Sequence, residues 1–282
     1  MIEVIREIAD VRHRLGESRI RGLSIGFVPT MGSLHDGHLA LVRRMKQLAD
    51  VVVVSIFVNP AQFGPGEDFN SYPRQLTRDA DLLIAEGVDY VFSPEADEIY
   101  PEGPATVVEV EDLSTRLEGA SRPGHFRGVT TVVMKLLQIV RPTLAAFGQK
   151  DAQQAAIIRR MVDTLFLGTE LLILPIVRDE DDVALSSRNV YLSPAERRQA
   201  RAIYKGLCAA REAVEGGETD PDAVVRTARE IIEAEDLLRI DYLELVDGDL
   251  LRPIPAVEGR MILVAAVYAG ATRLLDNVEI TA

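Results

Sequence analysis

The sequence predicts an α/β fold: a parallel sheet with helices on both faces, followed by a smaller α+β domain with an antiparallel sheet. Short apolar runs alternate with helical periods along the first half of the chain, an order typical of parallel βαβ units. The run over 51–57 is β-branched and lacks polar alternation, which indicates a strand covered on both faces. Beyond residue 190, helical periods give way to alternating strand patterns, which favour an antiparallel sheet.

The first part opens with a predicted amphipathic helix. Its apolar face comprises Val4, Ile5, Ile8, Val11 and Leu15, and Gly16 is expected to close it. The elements that follow are read from short apolar runs for strands and from helical periods for helices. They are strands over 25–28, 51–57, 90–92, 144–147 and 171–177, and helices over 39–49, 76–86, 129–140 and 152–165.

The second part begins where polar residues and a proline interrupt the alternation, near 178–193. We place the boundary after residue 184, which gives domains over 1–184 and 185–282. In the second domain, two predicted helices are followed by three predicted strands. They are helices over 194–214 and 221–235, and strands over 240–246, 261–268 and 272–280.

Composition excludes several classes of function. The 282 residues carry a formal net charge of −13, which disfavours the basic footprint of a nucleic-acid-binding protein. Cys208 is the single cysteine, so no disulfide can form within one chain. No apolar run reaches membrane-spanning length, and the N-terminus does not resemble a signal peptide. We therefore expect a cytoplasmic protein without nucleic-acid or membrane partners.

The segment from Met31 to His38 carries the strongest local pattern. It reads Met-Gly-Ser-Leu-His-Asp-Gly-His and lies between a predicted strand and a predicted helix. Backbone N–H groups at a helix start can bind an anion, and Gly37 lets that anion approach the main chain closely. Both imidazoles can donate hydrogen bonds to phosphate oxygens. A turn with two solvated histidines is the alternative, because short motifs also occur by chance.

Three more polar segments follow predicted strands, over 58–64, 148–151 and 178–189. Ligands of open parallel sheets bind beyond the carboxyl ends of the strands, so we expect all four segments at one edge. Their residue types suit a nucleoside triphosphate and a small polar acid, since cations bind phosphate and amides bind carboxylates or hydroxyls. The candidates are Lys150, Arg188, Ser186, Ser187, Gly148, Asn59, Gln62 and, one helical turn after Lys150, Gln154.

A fifth unusual segment, Arg-Pro-Gly-His-Phe-Arg-Gly over 122–128, precedes the predicted 129–140 helix. Two interpretations of it stay open. His125 and Arg127 either reach the site or brace the loop.

Five segments, in order along the chain, resemble the pantoate–β-alanine ligase (pantothenate synthetase) family. They cover 29–38, 57–64, 122–128, 148–154 and 185–189. The first is similar to the His-x-Gly-His motif, which by itself indicates only the wider nucleotidyltransferase superfamily with its Rossmann-like sheet and its class I aminoacyl-tRNA synthetases. Five ordered matches over nearly the whole chain make the resemblance specific.

The resemblance implies a two-step ligation that uses ATP and Mg²⁺. Pantoate attacks the α-phosphorus of ATP to give pantoyl adenylate and pyrophosphate, and the β-alanine amine then releases AMP and pantothenate. Negative charge builds up on the phosphate oxygens, and cations already in place stabilise it, with Mg²⁺ sharing that task. The family also implies a homodimer and a C-terminal domain that closes over the site.

The resemblance also implies roles for individual residues. His35, His38, Lys150 and Arg188 correspond to catalytic positions, with His38 resembling the proton donor. Gln62, Gln154 and Asn59 correspond to the pantoate and β-alanine pocket, and Asp79 is a candidate neighbour of the magnesium. The implied ATP-binding positions are Met31, Gly32, Ser33, Leu34, His35, Asp36, Gly37, His38, Gly148, Gln149, Lys150, Asp151, Val177, Leu185, Ser186, Ser187 and Arg188.

Two departures and two alternatives accompany this interpretation. Gln149 stands where the family usually has glutamate, and Asp182-Val183 stands where Asp-Gly is common. The alternatives are an adenylyl or cytidylyl transferase of the same superfamily and a non-catalytic nucleotide-binding module. The Gln62 and Gln154 pair favours the ligase over the transferase, and the intact histidines and cations argue against the module.

Overall fold

The computed structural model describes residues 3–103 and 105–282. The chain divides into two compact units. Unit 1 comprises the chain up to Gly148 together with Ile157–Leu174, and unit 2 comprises Gln149–Ala156 and Pro175–Ala282. The domain boundary predicted between 184 and 185 lies inside unit 2. In the two described stretches, none of the helices combines the length and the hydropathy that crossing a bilayer requires.

Unit 1 is built on a six-stranded sheet whose strands are all parallel, which confirms the predicted arrangement and adds one strand to the five predicted. The strand order is β1-β4-β3-β2-β5-β6. From β2 the chain extends the sheet in one direction through β3, and later in the other direction through β5, so the carboxyl end of β2 is a topological switch point. The strands are β1 Glu3–Ile5, β2 Ile25–Thr30, β3 Val51–Ile56, β4 Tyr90–Phe92, β5 Leu144–Gly148 and β6 Glu170–Leu174.

Burial along β3 explains why its sequence lacks alternation. Val51, Val52, Val53 and Val54 are all buried, so both faces of this strand are covered, as expected for the interior of a parallel sheet. The helices associated with the sheet connect its strands. They are α1 Ile8–Ile20, α2 Asp36–Leu48, α3 Leu76–Ala85, α4 Ala96–Ile99, α5 Glu118–Ser121, α6 His125–Val140 and α7 Ala152–Thr164, whose first residues belong to unit 2.

The predicted N-terminal helix is wrong at its start. Glu3–Ile5 forms the edge strand β1, which pairs in parallel with β4, and helix α1 begins only at Ile8. Val4 and Ile5 fit a helical face equally well, since a short apolar run does not separate strand from helix. Gly16 does not close the helix, which continues to Ile20. Among the other bounds that differ, β6 ends at Leu174, just before Pro175, and α6 begins at His125 rather than at 129.

Unit 2 contains the predicted antiparallel sheet, in the order β7-β8-β9. Its elements are α8 Pro194–Glu215, α9 Pro221–Glu233, β7 Leu238–Asp247, β8 Arg260–Ala269 and β9 Thr272–Thr281. Ser193 caps α8 in a reciprocal capping box with Glu196, and Pro194 occupies the first turn. The core of the unit includes the fully buried Leu207, Ile232 and Leu263.

Candidate functional site

The loop between β2 and α2 lies at the switch point and has an unusual backbone. Gly32 and Ser33 are both left-handed, with φ of +79° and +52°. A Cβ on Gly32 would lie 2.9 Å from Cγ2 of Ile56 and 3.0 Å from Oδ2 of Asp79, so only glycine fits there. In this turn the backbone N–H groups of Ser33 and Leu34 point toward the same side chain.

That side chain is Asp79, whose two carboxylate oxygens each accept from one of these N–H groups. Ser33 N donates to Oδ2 over 2.8 Å, and Leu34 N donates to Oδ1 over 2.9 Å. Asp79 lies on α3 and is fully buried. The protein itself therefore engages these two N–H groups, and any contact of Ser33 or Leu34 with a nucleotide would involve other atoms.

The two histidines of the motif lie side by side at the start of α2. His35 precedes the helix in an extended conformation, and its backbone N–H donates to Nδ1 of His38 over 3.4 Å. The ring centroids are 4.0 Å apart. Because Nδ1 of His38 accepts this hydrogen bond, we infer that the neutral ring carries its proton on Nε2, where it can donate to a ligand.

Gln62 and Asn59 occupy a short 3₁₀ turn, Pro60–Gln62 and its N-cap. Asn59 is 1% exposed, and every polar atom of its amide is used. Nδ2 donates to Oε1 of Gln62 over 3.0 Å and to the carbonyl of Gly128 over 3.2 Å. Oδ1 accepts from the Tyr100 hydroxyl over 2.7 Å and from Ala61 N over 3.3 Å. Asn59 thus orients Gln62.

The orientation of the Gln62 amide follows from this contact. Its Oε1 faces Asn59, so Nε2 lies on the other side, 3.4 Å from the sulfur of Met31. The partly exposed Gln62 side chain therefore presents an N–H donor. Burial raises the pKa of Tyr100 to about 12, so its hydroxyl stays protonated and continues to donate to Asn59.

The contacts of the 122–128 segment show what His125 touches, which the sequence leaves open. Nδ1 of His125 lies 2.8 Å from the carbonyl oxygen of Gln62. Nη2 of Arg122 donates to the same carbonyl over 3.4 Å, while Nε donates to Glu67 over 2.8 Å. His125 thus braces the Gln62 turn, whereas Arg127 is exposed.

In unit 2, the residues 149–151 form a 3₁₀ turn directly after β5. Nζ of Lys150 lies 3.9 Å from Oδ1 of Asp151. Lys150, Ser186 and Asp276 line one pocket, together with apolar side chains of the unit 2 core. The apolar lining residues are Val183, Ala184, Ala200, Ile203, Leu274 and Leu275. Two of the predicted phosphate-binding residues therefore share a pocket.

The segment that carries Ser186 to Arg188 is a hairpin followed by a 3₁₀ turn. Arg178 pairs with Ala184 in an antiparallel bridge, and Leu185 N donates to the carbonyl of Val177 over 3.0 Å. Oγ of Ser186 then accepts from Arg188 N over 3.3 Å and caps the turn. These contacts fix the main chain of the residues predicted to bind phosphate, Ser186 to Arg188.

The Asp182-Val183 departure has a conformational explanation. The left-handed residue of the hairpin is Asp182, with φ of +68°, and not Val183. Aspartate tolerates this region better than most residues. Val183 is 5% exposed and packs in the core, so the hairpin does not need glycine at 183.

The predicted site residues are divided between the two units. Unit 1 holds Met31, Gly32, Ser33, Leu34, His35, Asp36, Gly37, His38, Asn59, Gln62, Asp79 and Gly148. Unit 2 holds Gln149, Lys150, Asp151, Gln154, Val177, Leu185, Ser186, Ser187 and Arg188. Within unit 1, the His35–His38 pair and the Asn59–Gln62 pair are each in direct contact.

Sequence reasoning misses Asp276, Asn277 and Arg178. Asp276 and Asn277 are 5% and 3% exposed on β9, and Asn277 contacts the main chain of Lys150. A signal for them is present in the sequence. A charged residue and an amide interrupt the apolar pattern of the last strand, and buried polar groups need partners.

Similarity to known proteins extends over nearly the whole chain. A sequence model of the family described as pantoate-beta-alanine ligase matches residues 3–279. The pantothenate synthetases of Thermosipho melanesiensis and Moorella thermoacetica are each 52% identical over 277 residues. The first alignment covers 98% of this chain and 99% of the relative, and the second covers 98% of both.

Solved structures agree with these sequence matches. A crystal structure of the enzyme from Thermus thermophilus has a TM-score of 0.95 at 45% identity and covers 100% of both chains. The Francisella tularensis ligase, complexed with beta-gamma ATP and beta-alanine, has a TM-score of 0.80 at 34% identity. That match covers 99% of this chain and 97% of the other.

Proposed function

The chain belongs to the pantoate-beta-alanine ligase family, and we propose the roles that its residues take in the reaction. The protein is an enzyme that ligates pantoate and β-alanine in an ATP-dependent reaction. The observation that carries this conclusion is the family match over residues 3–279. His35, His38, Lys150 and Arg188 are all present in this chain.

The first step that we propose is adenylation. A pantoate carboxylate oxygen attacks the α-phosphorus of ATP, the bond to the β-phosphate oxygen breaks, and pyrophosphate leaves with that electron pair. Nε2–H of His38 and the Nζ of Lys150 donate to phosphate oxygens on which charge develops. Donors held in place before the reaction stabilise that charge without reorganising.

Arg188 complements the point charge of Lys150. A guanidinium can donate two parallel hydrogen bonds to phosphate oxygens, and Ser186 fixes the turn from which Arg188 extends. In the second step, the β-alanine nitrogen attacks the acyl carbon, the carbon–oxygen bond to AMP breaks, and the amine loses a proton. Positioning of the reactants supplies much of the rate in such a transfer.

Gln62 is proposed as the residue that recognises pantoate. Its Nε2 donor suits a carboxylate or hydroxyl oxygen, and Asn59 and His125 fix the side chain and the main chain of this residue. Gln154, in the first turn of α7, is the second candidate for the same substrate.

Among the described residues, those near the β2–α2 loop do not form a set of protein ligands that could enclose Mg²⁺. Both oxygens of Asp79 accept backbone hydrogen bonds, and the side chain is fully buried. Within 3–103 and 105–282, no three acidic, histidine or cysteine side chains gather as a metal site. We propose that Mg²⁺ enters with the ATP phosphates, its usual ligands in such enzymes.

We further propose a homodimer in the cytoplasm, which rests on the family resemblance and on the ATP requirement. Sedimentation at several protein concentrations tests the dimer. A single species with the mass of one chain at micromolar concentration would exclude it.

An omission assay tests the proposed chemistry. The enzyme is incubated with ATP, Mg²⁺, pantoate and β-alanine, and each component is left out in turn. Without β-alanine, we expect pyrophosphate equal to the enzyme present and no steady release of AMP. Steady pyrophosphate release with no AMP after β-alanine is added would indicate a nucleotidyl transferase instead.

Lys150→Ala tests the role of the lysine in the first step. We expect pantoate-dependent pyrophosphate release to fall at least about a hundredfold, the scale of losing one transition-state donor. The unfolding transition should change little, because the side chain is partly exposed. Near-normal turnover would remove Lys150 from the mechanism.

A further inference from the structure

The main chain at Lys150 is held by a buried amide from the last strand of the protein. Nδ2 of Asn277, on β9, donates to the carbonyl oxygen of Gln149 over 2.9 Å and to that of Lys150 over 3.1 Å. Asn277 is 3% exposed. Both protons of one amide nitrogen are thus directed at two consecutive carbonyls, 127 and 128 residues earlier in the chain.

The side chain of Gln149 completes the arrangement. Since Nδ2 of Asn277 faces the two carbonyls, its Oδ1 faces the other way, where Nε2 of Gln149 donates over 3.4 Å. A glutamine at 149 can make this contact, whereas an ionised glutamate offers only acceptors. The amide found at 149 in this chain therefore matches the orientation of Asn277.

A buried ion pair supports Asn277 from the neighbouring position. Oδ1 of Asp276 accepts from Asn277 N over 2.8 Å and from Arg178 Nη2 over 2.8 Å, and Oδ2 accepts from Arg178 Nη1 over 2.7 Å. The Arg178 guanidinium lies 3.4 Å from the ring centroid of Tyr204 and donates to the carbonyl of Asp182. Burial opposes the charge of Arg178, but its hydrogen bonds to Asp276 keep the pKa above the usual value.

We name Arg178, Asp276 and Asn277 the β9 clamp. It joins strand β9 to the 149–150 turn and to the hairpin that leads to Ser186 and Arg188. Both segments that supply phosphate-binding candidates in unit 2 are therefore fixed to one strand.

We propose that Asn277 is a positioning residue for Lys150, an inference that rests on the proposed role of Lys150 in adenylation. A lysine side chain has four rotatable bonds, so its reach is defined only if its backbone is fixed. Asn277 fixes the carbonyls on both sides of the Lys150 Cα. Without this amide the two carbonyls lose their partner, and the turn moves to find another.

The test is a double-mutant cycle on pantoate-dependent pyrophosphate release, measured on the full-length enzyme. It compares the parent, Asn277→Ala, Lys150→Ala and the double variant. We expect Asn277→Ala to lower kcat roughly ten- to a hundredfold, the range for a small misplacement of a catalytic group. The KM for pantoate should stay within about twofold, because the binding contacts remain.

The double variant gives the decisive comparison. If Asn277 acts through Lys150, Asn277→Ala should change the rate of the Lys150→Ala enzyme by less than about twofold. A general loss of structure would instead lower the rate of both backgrounds by the same factor, and that result would overturn the inference.

Two further variants separate positioning from stability. Val278→Ala is the matched control, because Val278 is the next residue of β9 and its buried side chain packs in the core of unit 2, on the opposite face of the strand. It should lower the thermal transition while leaving kcat nearly unchanged. Asn277→Asp keeps the size of the side chain but directs a carboxylate oxygen at the two carbonyls, and it should reproduce the loss seen with alanine.

The variants distinguish a failure of the proposed role of Lys150 from a failure of the proposed role of Asn277. Near-normal turnover of Lys150→Ala refutes the proposed role of Lys150 without reference to Asn277, and the inference falls with it. If Lys150→Ala is defective while Asn277→Ala and Asn277→Asp have near-normal turnover, only the positioning role of Asn277 is refuted.

Discussion

The side-chain amide of Asn59 donates a hydrogen bond to Oε1 of Gln62 across 3.0 Å. The contact orients the Gln62 amide, because its oxygen is turned toward Asn59 and its nitrogen therefore lies on the opposite side. Asn59 has no polar atom left over for a ligand. The family resemblance predicts it as a pocket residue, and its contacts support an indirect role in which it orients Gln62.

Asn59→Asp should reverse the Gln62 amide. A carboxylate oxygen would then face Oε1 of Gln62, and the glutamine would turn so that Nε2 faces Asp and Oε1 faces the substrate. We expect the KM for pantoate to rise about tenfold or more, as for a lost hydrogen bond to a charged group. Steady-state kinetics with varied pantoate measure this, and the KM for ATP serves as the internal reference.

Tyr100→Phe is the graded control for that variant. It removes the donor to Oδ1 of Asn59 but keeps the contact of Nδ2 with Gln62. The KM for pantoate should change less than about threefold, with about 1 kcal/mol of stability lost. If both variants leave the pantoate KM unchanged, Gln62 does not use this amide to recognise pantoate.

Asp79→Asn distinguishes a loop support from a metal ligand. The amide nitrogen of asparagine would face one of the two backbone N–H groups, so one hydrogen bond to a charged group is lost. We expect the free energy of unfolding to fall by about 1–3 kcal/mol and the KM for ATP to rise. The Mg²⁺ concentration for half-maximal activity should not change. A large increase in that concentration with an unchanged urea midpoint would favour the metal role.

The sequence predicts the regular elements better than the contacts that fix the site. The valine run at 51–54 indicates the central strand because uniform burial leaves a uniform sequence. The segments with candidate ligands are identified because they follow strands. In contrast, the left-handed conformations of Gly32 and Ser33 let the N–H groups of Ser33 and Leu34 donate to Asp79, and no local pattern identifies a partner 45 or 46 residues away.

The contacts that the sequence does not predict are mainly those between buried polar groups far apart along the chain. Asn277 contacts Lys150 across 127 residues, and Tyr100 reaches Asn59 across 41. Hydrophobic periodicity gives the face of an element but not which other element covers it. Likewise, the sequence predicts helix where β1 forms, because Val4 and Ile5 alone cannot show that β4 lies beside them.

Gly128→Ala should separate α6 from the Gln62 turn. An added Cβ would lie 2.2 Å from the carbonyl oxygen of Ala61 and 2.7 Å from Cα of Gln62. These are backbone atoms that cannot rotate away, so a helix or the turn must shift. We expect a loss of at least about 2 kcal/mol in unfolding free energy, as for overpacking, and a higher KM for pantoate.

Gly16→Ala is the control for the glycine substitution. Gly16 lies within α1, and an added Cβ would meet nothing within 4 Å. Alanine should therefore stabilise the protein by about 0.5–1 kcal/mol through the lower entropy of its unfolded chain. Equal changes in the free energy of unfolding of Gly16→Ala and Gly128→Ala would contradict the close contact at Gly128.

His125 should make stability depend on pH below neutrality. Its Nδ1 donates to the Gln62 carbonyl, so Nε2 carries the lone pair that faces the Nη1 donor of Arg122 at 3.2 Å. Burial, and then the charge of Arg122, lower the pKa of His125 below 6.5, against the opposing effects of the Gln62 carbonyl, Glu118 and Glu67. Because the unfolded chain takes up the proton at higher pH, stability contributed by neutral His125 is complete above about pH 6.5 and is lost as pH falls below it.

His125→Asn should remove this dependence while keeping a donor to the Gln62 carbonyl. Between about pH 7.5 and about pH 5.5, the thermal midpoint of the parent should fall further than that of the variant. Glu67 does not confound the comparison, because Arg122 lowers its pKa below 4.5 and its contribution is lost only in more acidic solution. His35 and His38 are common to both proteins, and His13→Asn, at an exposed position, is the control for replacing a histidine with asparagine. Equal shifts in the parent and His125→Asn would mean that His125 is not held neutral, and Nε2 would then not accept from Arg122.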